Sequence, residues 1–249
     1  MTNIKTKIIT ILSTITLVAS LGILAGCSTG AGNVSAGNEG ITNQQVSNIY
    51  PSKEAAIEAL KNLKIENADQ SKKMDRDKDF GSWKYDSKAK HNTRFEVLQK
   101  QGTNVKVEDN KIVSGEWYIP YTGETITCTS KDEVSKAFDI DHIVPVNYAY
   151  QHGAANWDQD KREEFANDLG EATGCTVGNN GVNNFEKHSN LIVSDAKSNR
   201  QKSDKGPSAW MPSNKNYTVE YAERWINICS YYGISITQAD YNALLNALS

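Results

Sequence analysis

Apolar residues recur at helical spacing in several stretches of the chain and alternate in one. In PSKEAAIEALKNLKI, Ala56, Leu60 and Leu63 lie on one stripe behind a proline, which predicts an amphipathic helix and the start of a folded domain near Tyr50. NTRFEVLQKQ predicts a second helical segment. IVSGEWYIPYTGETITCTS instead alternates around glycine-containing turns and predicts a hairpin leading towards Asp139. WDQDKREEFANDLG predicts a helix capped by Asp158, with Gly170 past its end. A short apolar strand, Leu191 to Val193, runs into a helix whose cap is expected at Ser194. TVEYAERWINICSYYG predicts an amphipathic helix stopped by Gly233, and Thr237 with Asp240 offers a capping box for the last one. Trp157, Trp210 and Trp225 fall at helix-associated positions and are expected in the core. The class implied is α+β, a single mostly helical domain around a short mixed centre.

The N-terminus carries a different pattern. Lys5 and Lys7 precede an apolar run from Ile8 to Ala25 that ends in Leu24-Ala25-Gly26-Cys27. A positive segment, an apolar segment and small residues before a cysteine predict a signal peptide over residues 1–26. A spanning helix is the competing reading, which the five Ser and Thr of the run weaken. The LAGC ending resembles the lipobox of bacterial lipoproteins, which implies lipidation at Cys27 and a membrane partner through that anchor. Residues 27–49 are small, polar and nearly uncharged, the composition of a flexible tether. The domain at 50–249 is then expected on the outer face of the cell membrane.

With Cys27 lipidated, Cys128, Cys175 and Cys229 remain, an odd number for an oxidising compartment. No C-x-x-C occurs, which excludes a zinc knuckle of the usual spacing. Cys229, at helical spacing among Ala222, Trp225 and Ile226, reads as a small buried hydrophobe, and a Cys128–Cys175 disulfide is the expected pairing. The formal net charge of −3 exerts no global pull on nucleic acid, so a polyanion would have to meet a local basic patch.

The candidate chemistry gathers in DIDHIVPV and SNLIVSDAKSNRQKSDK. Asp141-His142 end one strand, Asn190 opens another, and the helix after it carries Asn199, Arg200 and Lys202. A hairpin and a helix in that order could bring a carboxylate, an imidazole and an amide oxygen round one hard cation, and oxygen ligands favour magnesium or manganese. Asp141 and His142 are neighbours on a strand and so face opposite sides unless its end twists. Asp139 is expected to be a structural acid, and His152 and His188 to be surface residues.

D-I-D-H-I-V-P, N-L-I-V and S-N-R-Q-K-S-D resemble the ββα-metal motif of HNH endonucleases, with a motif core over about residues 136–206. More of the chain, NTRFEVL, the YTGETI turn, GAANWDQDKREEFANDL and SNRQKSDKGPSAWMP in that order, resembles the secreted bacterial HNH nucleases. The resemblance implies a ββα-metal core and an endonuclease of low sequence preference acting on DNA, with RNA left open as a substrate. It implies His142 as general base and Asn190 as its partner in the catalytic set, organising the hairpin. Asp141 and Asn199 would hold one Mg2+ or Mn2+, and Arg94, Arg200 and Lys202 would contact phosphate. A catalytically inactive HNH-scaffold lipoprotein that binds nucleic acid or envelope components is the alternative. Two departures stand out: His91 takes the place of a family cysteine before NTR, and GEATGCTVGNNGVNNFEKHS is inserted ahead of NLIV.

Overall fold

A computed structural model of the chain describes residues 49–170 and 188–249. The expectations on residues 1–48 (the leader, Cys27 and the tether) and on Cys175 lie outside the described residues. All described residues belong to one compact unit, Gln44–Ser249.

The first helix, α1 (Lys53–Lys61), is capped by Ser52, whose hydroxyl accepts from Ala55 N at 3.2 Å. It is followed by the short α2 (Arg76–Phe80) and a two-residue ribbon, β1 (Tyr85–Asp86) against β2 (His91–Asn92). Asn92 caps α3 (Thr93–Gln101), the NTR helix, through its side chain and Phe95 N. The alternating stretch then forms an antiparallel meander of β3 (Gly102–Glu108), β4 (Lys111–Ile119) and β5 (Glu124–Cys128). Trp117 is its anchor: the ring is fully buried and Nε1 donates to the Leu98 carbonyl at 2.8 Å. Gly102 and Gly115 make room for that indole, since a Cβ on either would lie 2.6 or 2.7 Å from it.

After α4 (Lys131–Ala137), β6 (Asp139–His142) leads into α5 (Val146–Gln151) and α6 (Gln159–Ala166), the latter capped by Asp158 as its sequence predicts. α6 ends at Ala166, four residues short of Gly170. β6 pairs antiparallel with β7 (Leu191–Ser194), Asp141 opposite Ile192 and His142 opposite Leu191. α7 (Ala196–Lys202) follows directly. Its cap is Asp195 rather than Ser194: the Asp195 carboxylate accepts from Ser198 N, while the Ser194 hydroxyl donates to the Asp195 carbonyl.

α8 (Thr218–Tyr232) ends at Gly233 in a left-handed conformation, and α9 (Gln238–Ala247) starts at the expected capping box, with Thr237 Oγ1 accepting from Asp240 N at 3.0 Å. Both helices pack on α1. Trp225, Ile226, Ile228 and Cys229 on α8 are fully buried and belong to the core. Mixed helix and sheet is thus the observed class.

Candidate active site

The pleat of β6 divides its side chains between two environments. Asp139 and Asp141 meet α7, where Asn199 and Lys202 stand three residues apart on one helix face. Asn199 Nδ2 donates to Asp139 Oδ2 at 3.1 Å. The Lys202 ammonium lies 2.9 Å from Asp141 Oδ2 and 3.2 Å from Oδ1, and donates to the His142 carbonyl at 2.7 Å. The Tyr121 hydroxyl, from the turn after β4, donates to Asp141 Oδ2 at 2.7 Å. Lys202 is 0% exposed and Asp141 6%. Burial lowers the Lys202 pKa against the opposing pull of Asp141, and burial followed by the Asp141 charge holds the Tyr121 phenol well above its usual value. The result is a dry ion pair with a hydroxyl donor, welding α7 to the end of β6.

His142 faces the other way. Its ring stacks on Trp83, centroids 5.5 Å apart and planes within 10°, and Nε2 lies 2.9 Å from the Ala166 carbonyl at the end of α6. A carbonyl only accepts, so Nε2 carries the proton and Nδ1 is the basic nitrogen. Burial, reinforced by the Arg76 and Lys202 charges, pushes the imidazole down to about 3, with the Ala166 bond opposing. The ring is neutral at neutral pH.

Asn190 organises the hairpin. It is 0% exposed, its Oδ1 accepting from Val144 N at 2.9 Å and its Nδ2 donating to the Val144 carbonyl at 3.1 Å, so the loop after His142 is clamped to the start of β7. The other edge of β7 is finished by Gln101 of α3, which donates to the Leu191 carbonyl at 2.9 Å and accepts from Val193 N at 2.8 Å. That side-chain amide stands in for a missing third strand.

Several expected roles change with this geometry. Lys202 is an internal counter-ion instead of a phosphate contact, because α7 turns it against β6. Asp141 is engaged by two donors, one of them an ammonium. Of the other expected phosphate contacts, Arg200 is exposed, and Arg94 is half-buried with its guanidinium donating to the Phe138 carbonyl at 2.9 Å. Cys128 is buried at the end of β5, its expected pairing with Cys175 involving a residue outside the described ones, and Cys229 is buried and free as its helical setting implies. His152 and His188 are buried, not surface residues: His152 stacks on Tyr148, and His188 stacks on Tyr231 while its Nδ1 lies 3.1 Å from Asp168 Oδ2. Trp225 is in the core, with Trp157 and Trp210 partly buried against it. Tyr121, Trp83 and Gln101 carry no motif of their own. Tyr121 opens the YTGETI segment and Gln101 closes the helix that begins at NTRFEVL, which is the signal that could have found them.

A divalent cation at Asp141 would have to share its carboxylate with an ammonium 2.9 Å away, so Asp141 does not suit a metal. The oxygens of Asp139 and the amide oxygen of Asn199 form a better hard-donor pair, of the small size that magnesium uses when water supplies the rest of its shell. Among the described residues no three His, Cys, Asp or Glu side chains converge as a metal cage.

Residues 51–247 match the family of the C-terminal domain of GmrSD restriction endonucleases, and the chain belongs to that family. A nuclease-type domain, with nucleic acid as its substrate, is thereby defined. The chain is also similar to an uncharacterized secreted protein of Arthroderma benhamiae, 36% identical over 159 residues that span 64% of this chain and 67% of the relative. No solved structure matches. No helix among the described residues is long and apolar enough to cross a membrane.

Proposed function

We propose that the chain is an HNH-type endonuclease that hydrolyses phosphodiester bonds of DNA, and of RNA as a second substrate, with low sequence preference. The observation that carries this reading is His142 at the end of β6, its Nε2–H held by the Ala166 carbonyl so that a neutral Nδ1 is presented as a base. Nδ1 takes a proton from water, and the water oxygen attacks phosphorus in line with the departing 3′-oxygen. The new P–O bond forms as the P–O3′ bond breaks, the leaving oxygen takes a proton from solvent, and the products carry a 5′-phosphate and a 3′-hydroxyl. A bound phosphate raises the proton affinity of the imidazole, which offsets part of the depression caused by burial.

Trp83 and Asn190 hold the ring and the loop behind it, while Lys202 and Asp141 fix the strand end from the opposite face. Arg200 and Arg94 supply cationic donors for phosphate oxygens. Magnesium or manganese held by Asp139 and Asn199 would lie on the face of β6 opposite His142 and would neutralise charge on a neighbouring phosphate of the bound strand. Cys27 would anchor the mature chain by its lipid to the outer face of the membrane, and Cys27→Ser is expected to release it.

The test is cleavage of fluorescently labelled DNA by the full chain. Cleavage that stops with EDTA and returns with magnesium or manganese supports the reading. No cleavage of DNA or RNA with either ion contradicts it.

A further inference from the structure

A groove of about 240 Å³ is walled by His91 of β2, Arg94 and Phe95 of α3, Lys111 at the start of β4, and Lys131 and Val134 of α4. Every ionisable side chain that lines it is basic: His91, Arg94, Lys111 and Lys131. In a chain of net charge −3 such a cluster is a local feature and fits a polyanion. Charge alone does not choose among polyanions, but the lining contains a second feature. The rings of His91 and Phe95 are stacked, centroids 4.4 Å apart and planes within 14°, a platform of the kind on which a nucleobase continues the stack. Two acids stand by this platform: the Glu96 carboxylate, whose Oε1 lies 3.5 Å from His91 Nδ1, and Asp86, opposite His91 in the ribbon.

The groove is also joined to the candidate site. Arg94, in its wall, donates to the carbonyl of Phe138, the residue before Asp139, and feels the Asp139 charge. A strand lying in the groove would therefore run past the β6 end at which Asn199 and Asp139 meet.

We propose that this groove is a nucleotide subsite that receives one base of a single-stranded nucleic-acid segment on the Phe95–His91 platform, with the neighbouring phosphates on Lys111, Lys131 and Arg94. It rests on the nuclease reading and adds to it the strand state of the substrate and the residues that hold it. Duplex DNA offers no unstacked base to such a platform, so single strands are the preferred substrate.

The experiment uses the full chain carrying His142→Ala, so that the probe stays intact, and reads the anisotropy of a labelled single-stranded DNA oligonucleotide over a range of salt. Lys111→Gln with Lys131→Gln, both exposed, is expected to weaken binding and make the slope of log affinity against log salt shallower by roughly 1.4, about 0.7 for each phosphate that no longer meets a lysine. Phe95→Leu keeps apolar bulk and is expected to weaken binding roughly tenfold. On an abasic oligonucleotide of equal length, Phe95→Leu has no effect. Unchanged affinity and salt slope in both variants, with the parent still binding, overturns the subsite and leaves the nuclease reading standing. A lysine effect without any Phe95 effect overturns it in favour of a general polyanion surface. No oligonucleotide binding by the parent, with no cleavage by the wild type, brings down the nuclease reading and the subsite together.

Discussion

Lys202 and Asp141 form a buried ion pair, ammonium to carboxylate 2.9 Å, that excludes water from one face of the candidate site. Neither residue is available at the surface, yet both lie in the segments that most resemble a nuclease motif. Their pairing explains how a helix of seven residues is held against a four-residue strand.

The first prediction concerns that pair. Lys202→Met leaves the Asp141 charge buried without its counter-ion and should lower stability by about 3 to 5 kcal/mol. The double variant with Asp141→Leu should recover most of the loss. Urea unfolding followed by tryptophan fluorescence measures both. A Lys202→Met protein as stable as the wild type would mean that Lys202 stands in solvent and is free to contact phosphate.

A second prediction separates the two acids of β6. Isothermal titration of the full chain with Mn2+ should show binding that weakens at least tenfold in Asp139→Asn and in Asn199→Ala. Asp141→Asn should bind the ion as the wild type does, provided the fold survives by circular dichroism. Loss of binding in Asp141→Asn alone would return the ligand role to Asp141.

The fold was legible wherever pattern and local chemistry agree. Asp158, Gly233 and the Thr237–Asp240 box set helix ends through contacts within a few residues, and such contacts are written in the local sequence. The Ser194 cap was one residue off because β7 keeps Ser194 as its last residue and the helix starts at Ala196, which puts Asp195 at the cap with its carboxylate on Ser198 N. Long-range partners were not legible. Asp141 is sequentially remote from Tyr121 and Lys202, and only the folded chain decides whether a lysine at a motif position turns inward. His152 and His188 look like loop histidines, but aromatic neighbours from α5 and α8 cover them.

A third prediction follows from the buried imidazoles. Burial lowers the pKa of His142 to about 3 and depresses that of His152, whose Asp240 and Glu66 neighbours oppose the shift. Unfolded histidine titrates near 6.5, so between the two values the unfolded chain binds more protons than the folded one. Stability therefore falls as pH drops below about 6.5, with a slope of up to about 1.4 kcal/mol per pH unit from His142 alone, and is insensitive to these groups above it. Urea midpoints at a series of pH values should show the decline in the wild type and a flatter profile in His142→Gln. Parallel profiles would show that His142 is not held neutral by burial.

The role of His142 as the base is tested most directly by the rate of DNA cleavage by the full chain with His142→Ala, followed under single turnover with magnesium. The expected protein is folded by circular dichroism, binds single-stranded DNA as the wild type does and cleaves it roughly 10² to 10⁴ times more slowly, the share of a general base. A folded His142→Ala protein that cleaves at the wild-type rate would contradict that role.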